Sequence, residues 1–225
     1  MLLLWMIVAS VKSCKRQKGI QIGLQDKNGI IVEDAIHKVY IDPGHGGDDP
    51  GTEGLNYDTI EKDLALKVGL ALNDLLLKEN YQTYMTRVDD STVKIWDRPK
   101  MANETEAEIL VSLHFNAAET QISKTSGIET FYYENTKSDS PELAKYIHAE
   151  LIKGLKLRDR GIKGEDHCVT RETTMPAILV ELGFLTNKTE EAFYLKEENL
   201  NKAAECVRDG ILKYFEEKER SDNNE

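Results

Sequence analysis

The chain has few cysteines and few aromatic residues, and negative charge exceeds positive charge. Its three cysteines, at positions 14, 168 and 206, neither pair completely nor show the close spacing of a thiolate metal site, which excludes a disulfide scaffold. Whether Cys168 and Cys206 pair with each other stays open. The formal net charge of −11 would repel a polyanion and argues against nucleic acid as a partner. A length of 225 residues with 40% hydrophobic content predicts one full domain with its own core.

Long hydrophobic runs are also missing, apart from one at the N-terminus. Residues 1–10, MLLLWMIVAS, reach only about half of the ~20 residues that cross a bilayer, so we expect no transmembrane helix in the mature domain. An apolar stretch followed by small residues is typical of a secretory signal, although the usual preceding positive charge is absent. We interpret residues 1–14 as a signal peptide or a lipoprotein signal.

The residues just before Cys14 leave two interpretations of that signal open. Val11–Cys14 resembles a bacterial lipoprotein cleavage box, which makes Cys14 a candidate lipid anchor. Lys12, however, stands where a small or apolar residue is usual. The alternative is that Cys14 is an ordinary residue of an exported protein.

Composition divides the remainder of the chain into three segments. Residues 15–36 are polar with scattered glycines and are predicted to form a tether. Residues 37–217 carry the apolar patterns of a folded domain. Residues 218–225 form a charged tail that we expect to fray into solvent.

Within residues 37–217, short apolar runs alternate with amphipathic stretches. Strands are predicted at 37–42, 82–86, 109–114, 127–133 and 177–181, and helices at 61–78, 93–104, 141–157 and 200–215. Pro99 is expected to mark the start of a helix or a kink in it. Alternating strands and helices predict a single α/β domain, in which helices flank an open sheet on both faces.

Three of the predicted strands lead into a side chain that can bind a metal ion. His45 follows the first strand in the sequence PGHGG, and His114 and Glu181 each end a later strand. Ligands bind at the carboxyl ends of strands in open α/β sheets, because the loops there form a crevice. A fourth group, Glu61, opens the first long helix, whose start should point toward the same rim.

These residue types predict a zinc hydrolase. Catalytic zinc takes three protein ligands and keeps one position for water, and His45, Glu61 and His114 supply a common combination of such ligands. Zinc lowers the pKa of its water toward ~7, and a nearby carboxylate can then accept the proton as a carbonyl is attacked. Glu181 is the candidate for that base, and afterwards for the acid that protonates the leaving nitrogen.

Each residue also has a simpler interpretation. Asp58 and Glu61 have the spacing of a helix capping box, in which Glu61 would only bond back to the backbone. A single histidine at a strand end is more often a hydrogen-bonded structural residue than a ligand. The glycine-rich loop around His45 could also suggest phosphate binding, but it lacks the Lys and Ser/Thr of a P-loop.

The motifs together resemble a known family, the zinc-dependent amidase_3 family of N-acetylmuramoyl-L-alanine amidases. The matching stretches are IDPGHGGDDPG at 41–51, EKDLAL at 61–66, TRVDD at 86–90, VSLHFNA at 111–117, RGIKG at 160–164 and MPAILVELGFLTN at 175–187. The resemblance implies a twisted mixed β-sheet between helices, Zn²⁺ held by His45, Glu61 and His114, and Glu181 as the catalytic residue. It also implies hydrolysis of the amide between N-acetylmuramic acid and L-alanine in peptidoglycan.

The substrate and the N-terminus together predict an exported protein of the periplasm or cell envelope, either free or anchored as a lipoprotein. We expect it to act as a monomer. Asn116 and Arg171 are candidate contacts to the substrate, whereas Arg87 and Arg98 are expected to be structural. Two other functions remain open. The domain could be a wall-binding module that lost its chemistry, or a zinc carboxypeptidase that cleaves another bond of the same polymer.

Overall fold

A seven-stranded mixed sheet forms the centre of the protein in the computed structural model, which describes residues 20–22, 37–118 and 124–223. The strands are β1 (Ile20–Ile22), β2 (Lys38–Pro43), β3 (Gln82–Met85), β4 (Ile109–Asn116), β5 (Ile128–Tyr132), β6 (Asp159–Gly164) and β7 (Ala177–Phe184). The helices are α1 (Glu61–Lys78), α2 (Asp97–Asn103), α3 (Ser140–Leu155), α4 (Cys168–Arg171), α5 (Lys188–Tyr194) and α6 (Glu197–Asp222). The predicted α/β class is confirmed.

The strand order is β1-β3-β2-β4-β7-β5-β6. Strands β3, β2, β4 and β7 run parallel, while β5 is antiparallel to β7 and β6 is parallel to β5. The carboxyl ends of β2, β4 and β7 therefore meet at one edge of the sheet, where the connections into the next elements begin.

Two apolar clusters, one on each face of the sheet, hold the layers together. Alternation along the strands divides the side chains: Val111 and Leu113 of β4 join the larger cluster, whereas Leu110 of the same strand joins the smaller one. The larger cluster contains the apolar faces of α1, α3 and α6, and the smaller one lies under α2 and α4.

The structure differs from the sequence prediction at both ends of the domain. Strand β1 lies inside residues 15–36, the predicted tether, and pairs antiparallel with β3, whose outer backbone groups would otherwise lack partners. The predicted charged tail is helical as far as Asp222, because α6 continues beyond its apolar stripe. Within that extension Lys218 pairs with Asp139, and Glu219 lies 3.1 Å from His37, which ties the last turns to the domain.

Three further elements were not predicted: β6, α4 and α5. They have six, four and seven residues, too few for a periodic apolar pattern to stand out. Pro99 is the third residue of α2 and marks the start of that helix. Cys168 and Cys206 are both free and buried, so they are two separate thiols.

The N-terminal predictions concern residues 1–14, which lie outside the described part of the chain. Across the described ranges, none of the helices combines the length and apolar character that a bilayer-spanning segment needs. The longest, α6, is amphipathic and packs against α1 and α3 through one face.

Candidate active site

His45 occupies a glycine-rich loop directly after β2. Its backbone is left-handed, with φ of 56°, and Gly46 and Gly47 follow with φ of 129° and 58°. A Cβ at Gly44 would lie 2.3 Å from the ring of His114, so only glycine lets the loop approach that ring. The turn brings the two imidazoles together edge to face, with ring centroids 4.9 Å apart.

The carboxylate of Glu61 lies between these two rings. Its Oε1 is 3.1 Å from Nε2 of His45 and 3.0 Å from Nδ1 of His114. Burial alone would raise the pKa of Glu61, but the hydrogen bonds with His114 and His45 outweigh burial and hold the pKa well below its usual value. Glu61 is therefore a charged carboxylate that both imidazoles approach.

The capping-box interpretation of Asp58 and Glu61 is wrong. Helix α1 begins at Glu61 itself, and its N-cap, Ile60, makes no side-chain capping bond. The carboxylate of Glu61 instead accepts hydrogen bonds from the backbone N–H of Thr52 (2.8 Å) and of Phe115 (3.0 Å). Because Thr52 lies in the loop before α1 and Phe115 lies in β4, these bonds hold the carboxylate of Glu61 between two segments of the site.

The three side chains fit a divalent metal ion. One ligand atom each from His45, Glu61 and His114 lies within 4.8 Å of the others. Two imidazole nitrogens with one carboxylate oxygen are a donor set of catalytic zinc sites. Nδ1 of His45 lies 2.9 Å from Oδ2 of Asp49, so a carboxylate stands beside the ring nitrogen that does not face Glu61.

Two buried arginines brace the loop that carries His45, as expected from the sequence. Arg98 donates to Oδ1 of Asp42 (2.7 Å) and to the carbonyl of His45 (2.6 Å). Arg87, only 1% exposed, donates to the carbonyl of Gly44 (2.7 Å). Burial alone would raise the pKa of Asp42, but the charge of Arg98 and the hydrogen bond from Ser112 together help to lower that pKa below its usual value.

A second buried carboxylate, Glu191, holds the segment that leads into Glu61. It accepts hydrogen bonds from the backbone N–H of Asn56 and Tyr57, each at 2.9 Å, and from the hydroxyl of Thr59 at 3.0 Å. The sequence did not indicate a role for Glu191, because an acidic residue in a short polar stretch is normally exposed to solvent.

Glu181 lies beside this cluster on the next strand. The register pairs His114 of β4 with Glu181 of β7, so the two side chains leave the same face of the sheet at the same level. Its Oε2 is buried and makes no hydrogen bond within the described ranges. Burial raises the pKa of Glu181 well above its usual value, and the negative charges of Glu61 and Glu129 add to that effect.

The structure brings Asn116 to the site but not Arg171. The amide of Asn116 donates to Oε2 of Glu129 (3.0 Å), and Glu129 faces Glu181 across β5 and β7. Arg171 pairs with Asp166 and Glu172, and lines a polar cavity of about 390 Å³ near the start of β7, the opposite end from Glu181.

Comparison with known proteins identifies the family. The family model Amidase_3, described as N-acetylmuramoyl-L-alanine amidase, matches residues 39–213. The chain belongs to the Amidase_3 family. The matched range runs from β2 into α6 and contains His45, Glu61, His114 and Glu181. The protein is accordingly an enzyme of the N-acetylmuramoyl-L-alanine amidase class.

Relatives of this Amidase_3 domain cover most of its length. The germination-specific N-acetylmuramoyl-L-alanine amidase of Bacillus subtilis is 34% identical over 80% of this chain and 80% of its own. An N-acetylmuramoyl-L-alanine amidase from Clostridium difficile 630 superposes with a TM-score of 0.78 at 39% identity, over 81% of this chain and 98% of that one. The catalytic domain of CwlV from Bacillus (Paenibacillus) polymyxa gives a TM-score of 0.75 at 34% identity, covering 80% and 99%.

Proposed function

We propose that this Amidase_3 domain is a zinc-dependent enzyme that hydrolyses the amide between N-acetylmuramic acid and L-alanine in peptidoglycan. One observation carries the proposal. The donor atoms of His45, Glu61 and His114 converge within 4.8 Å, beside the buried carboxylate of Glu181, one oxygen of which has no hydrogen-bond partner among the described residues. A buried carboxylate oxygen without a hydrogen bond is costly, and such a group in a native structure calls for a functional explanation.

Each residue has a separate part in the proposed reaction. Bound by His45, Glu61 and His114, zinc supplies a Lewis acid for the amide carbonyl and lowers the pKa of water. Glu181 accepts a proton from the attacking water and passes it to the leaving nitrogen, so one residue is base and then acid. The C–N bond breaks, leaving a carboxylate on the lactyl group and a free amine on L-alanine.

The test digests purified muropeptides with the full-length protein and analyses the products by mass spectrometry. We expect release of intact stem peptides that begin with L-alanine, and one zinc per chain by elemental analysis. Glu181→Gln should keep zinc and lose on the order of 10² to 10⁴ in rate, the span of general acid–base groups. Glu198→Gln, an exposed change on α6, is the matched control and should behave as wild type.

Other products would identify the alternatives. Release of terminal D-alanine would indicate a carboxypeptidase, and tight wall binding without release would indicate a binding module. A fully active Glu181→Gln protein would assign the base to another carboxylate.

The remaining assignments follow from this substrate. We propose that the protein works in the periplasm or cell envelope, because peptidoglycan lies outside the cytoplasmic membrane. We also propose that it acts as a monomer. Residues 1–14 would direct export, and Cys14 is the candidate for lipid attachment. The catalytic domain would then extend beyond residues 37–217 and include β1 and the whole of α6.

A further inference from the structure

Glu129, the carboxylate opposite Glu181, has more positive partners than its charge requires. Its side chain is 5% exposed, and Nε of Arg160 lies 3.0 Å from Oε1. Nζ of Lys163 contacts the same oxygen, while Asn116 binds the other one. One carboxylate therefore faces two cations. Glu129, Arg160 and Lys163 together carry a net charge of +1.

Both cations also reach solvent. The side chains of Arg160 and Lys163 are 24% and 39% exposed. Lys163 lies over the ring of Phe131 (5.7 Å to the centroid), and Arg160 lies over the ring of Phe184 (5.0 Å), which restricts where the two charges can move. Within residues 37–118 and 124–223, the terminal nitrogens of Arg160 make no hydrogen bond or ion pair.

The acidic side chain near Arg160, Glu190, forms no ion pair with it within the described ranges. Glu190 feels the charge of Arg160, but its two oxygens accept hydrogen bonds from the backbone N–H of Gly127 (2.7 Å) and Phe184 (2.8 Å). In a chain with a formal net charge of −11, two partly exposed cations beside the proposed catalytic carboxylate are unusual.

Sheet geometry gives the distance of this charge from the reacting bond. Glu129 pairs with Glu181, and Glu181 pairs with His114, so Glu129 stands two strands away from the metal cluster. Neighbouring strands are about 4.8 Å apart, which places Glu129 and its cations roughly 10 Å from His114. An extended peptide covers about 3.4 Å per residue, so roughly three residues bridge this gap.

We propose that Arg160 and Lys163 bind a free carboxylate on the second or third residue of the substrate's peptide, and that Glu129 and Asn116 position them. This inference rests on the proposed function. The lactyl carboxyl group of N-acetylmuramic acid is consumed in the scissile amide, so the free carboxylates of the substrate lie on its peptide. The β6 side of the site is therefore the peptide side. Arg160 can present two parallel N–H groups to a carboxylate.

A purely structural role explains only part of this arrangement. One cation suffices to neutralise Glu129, and a second cation beside it, partly removed from water, adds a desolvation cost. A second, partly exposed cation has a role if it binds an anionic group of the substrate. The two roles differ in one measurable respect, the preference between a charged and a neutral substrate.

The test compares two muramoyl tripeptides that differ only in their second and third residues, which carry either free carboxylates or the corresponding primary amides. For the wild-type protein with zinc, we expect kcat/KM to be about tenfold higher for the acid, which is the size of one charge-assisted hydrogen bond. Lys163→Met should move the ratio toward one, with Arg160 keeping part of the preference, and Lys163→Arg should restore it. Lys153→Met, at an exposed site on α3, is the charge-matched control and should keep the wild-type ratio.

Each contrary result has a distinct meaning. Equal kcat/KM on both substrates for the unmodified protein would overturn the inference without the need for any variant. If Lys163→Met keeps the wild-type ratio of kcat/KM, Lys163 does not bind the substrate carboxylate and only pairs with Glu129, which would contradict its part in the proposal. Loss of stem-peptide release from both substrates by the wild type would instead remove the proposed function, and this inference with it.

Discussion

Two glutamates face each other across β5 and β7, and their surroundings make them different. Glu129 has Arg160, Lys163 and Asn116 as partners, whereas Oε2 of Glu181 has no hydrogen-bond partner within the described ranges. Like charges placed directly opposite each other in a sheet repel. The negative charge of Glu129 adds to burial in favouring the neutral form of Glu181.

Glu181→Gln should stabilise the metal-free protein at neutral pH. The folded state raises the pKa of Glu181, so wild type loses stability as pH rises above the unfolded value of about 4.3, and glutamine avoids that loss. We expect a gain of about 1–3 kcal/mol at pH 7, measured by urea unfolding in EDTA.

The pH dependence provides the control for this experiment. At about pH 3, more than one unit below the unfolded pKa, Glu181 is almost wholly protonated in both the folded and the unfolded state, so the two proteins should unfold alike. Equal stability at pH 7 would show that the carboxylate of Glu181 is solvated in the folded protein.

At the scale of elements, the long helices were predicted well and the short elements were not. Helix α1 was predicted with its observed bounds, because its apolar residues recur at helical spacing over 18 residues. Strand β6 was missed because DRGIKG holds a single strongly apolar residue and lies at the edge of the sheet. That edge strand nevertheless carries both residues of the proposed peptide side, Arg160 and Lys163.

The packing of α3 against α6 depends on a glycine at their crossing. A Cβ at Gly210 would lie 2.5 Å from Cα of Ile147, which is backbone and cannot rotate away. We expect Gly210→Ala to lower the free energy of unfolding by up to about 2 kcal/mol, since overpacking costs about 1–3 kcal/mol and the gain in helix propensity returns about 1 kcal/mol. Urea denaturation measures the change.

Asn201→Ala tests the same helix at an exposed position, where no neighbour opposes the new side chain. It should be neutral or slightly stabilising, because alanine has the higher helix propensity. A Gly210→Ala protein as stable as this control would mean that α3 and α6 separate without cost.

At the scale of the whole molecule, the candidate metal site links distant parts of the chain. Its donors come from the loop after β2, the start of α1 and the end of β4, so metal binding requires the folded domain. A ligand that binds only the folded state stabilises it in proportion to the logarithm of its concentration.

Zinc should therefore raise the melting temperature, by about 10 °C at a thousand times its dissociation constant, and EDTA should reverse the shift. His114→Ala should abolish the zinc-dependent shift. His37→Ala is the control, because His37 binds Glu108 and Glu219 away from the metal cluster. It should lower the starting melting temperature and keep the zinc-dependent shift, and an identical shift in His114→Ala would exclude His114 as a ligand.

The sequence by itself determined the α/β class, the long helices and the candidate residues at the strand ends, because periodicity and strand-end position are local properties of the chain. Only the tertiary structure decided that Glu61 reaches both imidazoles rather than capping its helix, since that depends on Thr52 and Phe115 from other segments. The same holds for the cations on Glu129, because register across β5, β6 and β7 is a long-range property that no short stretch of sequence encodes.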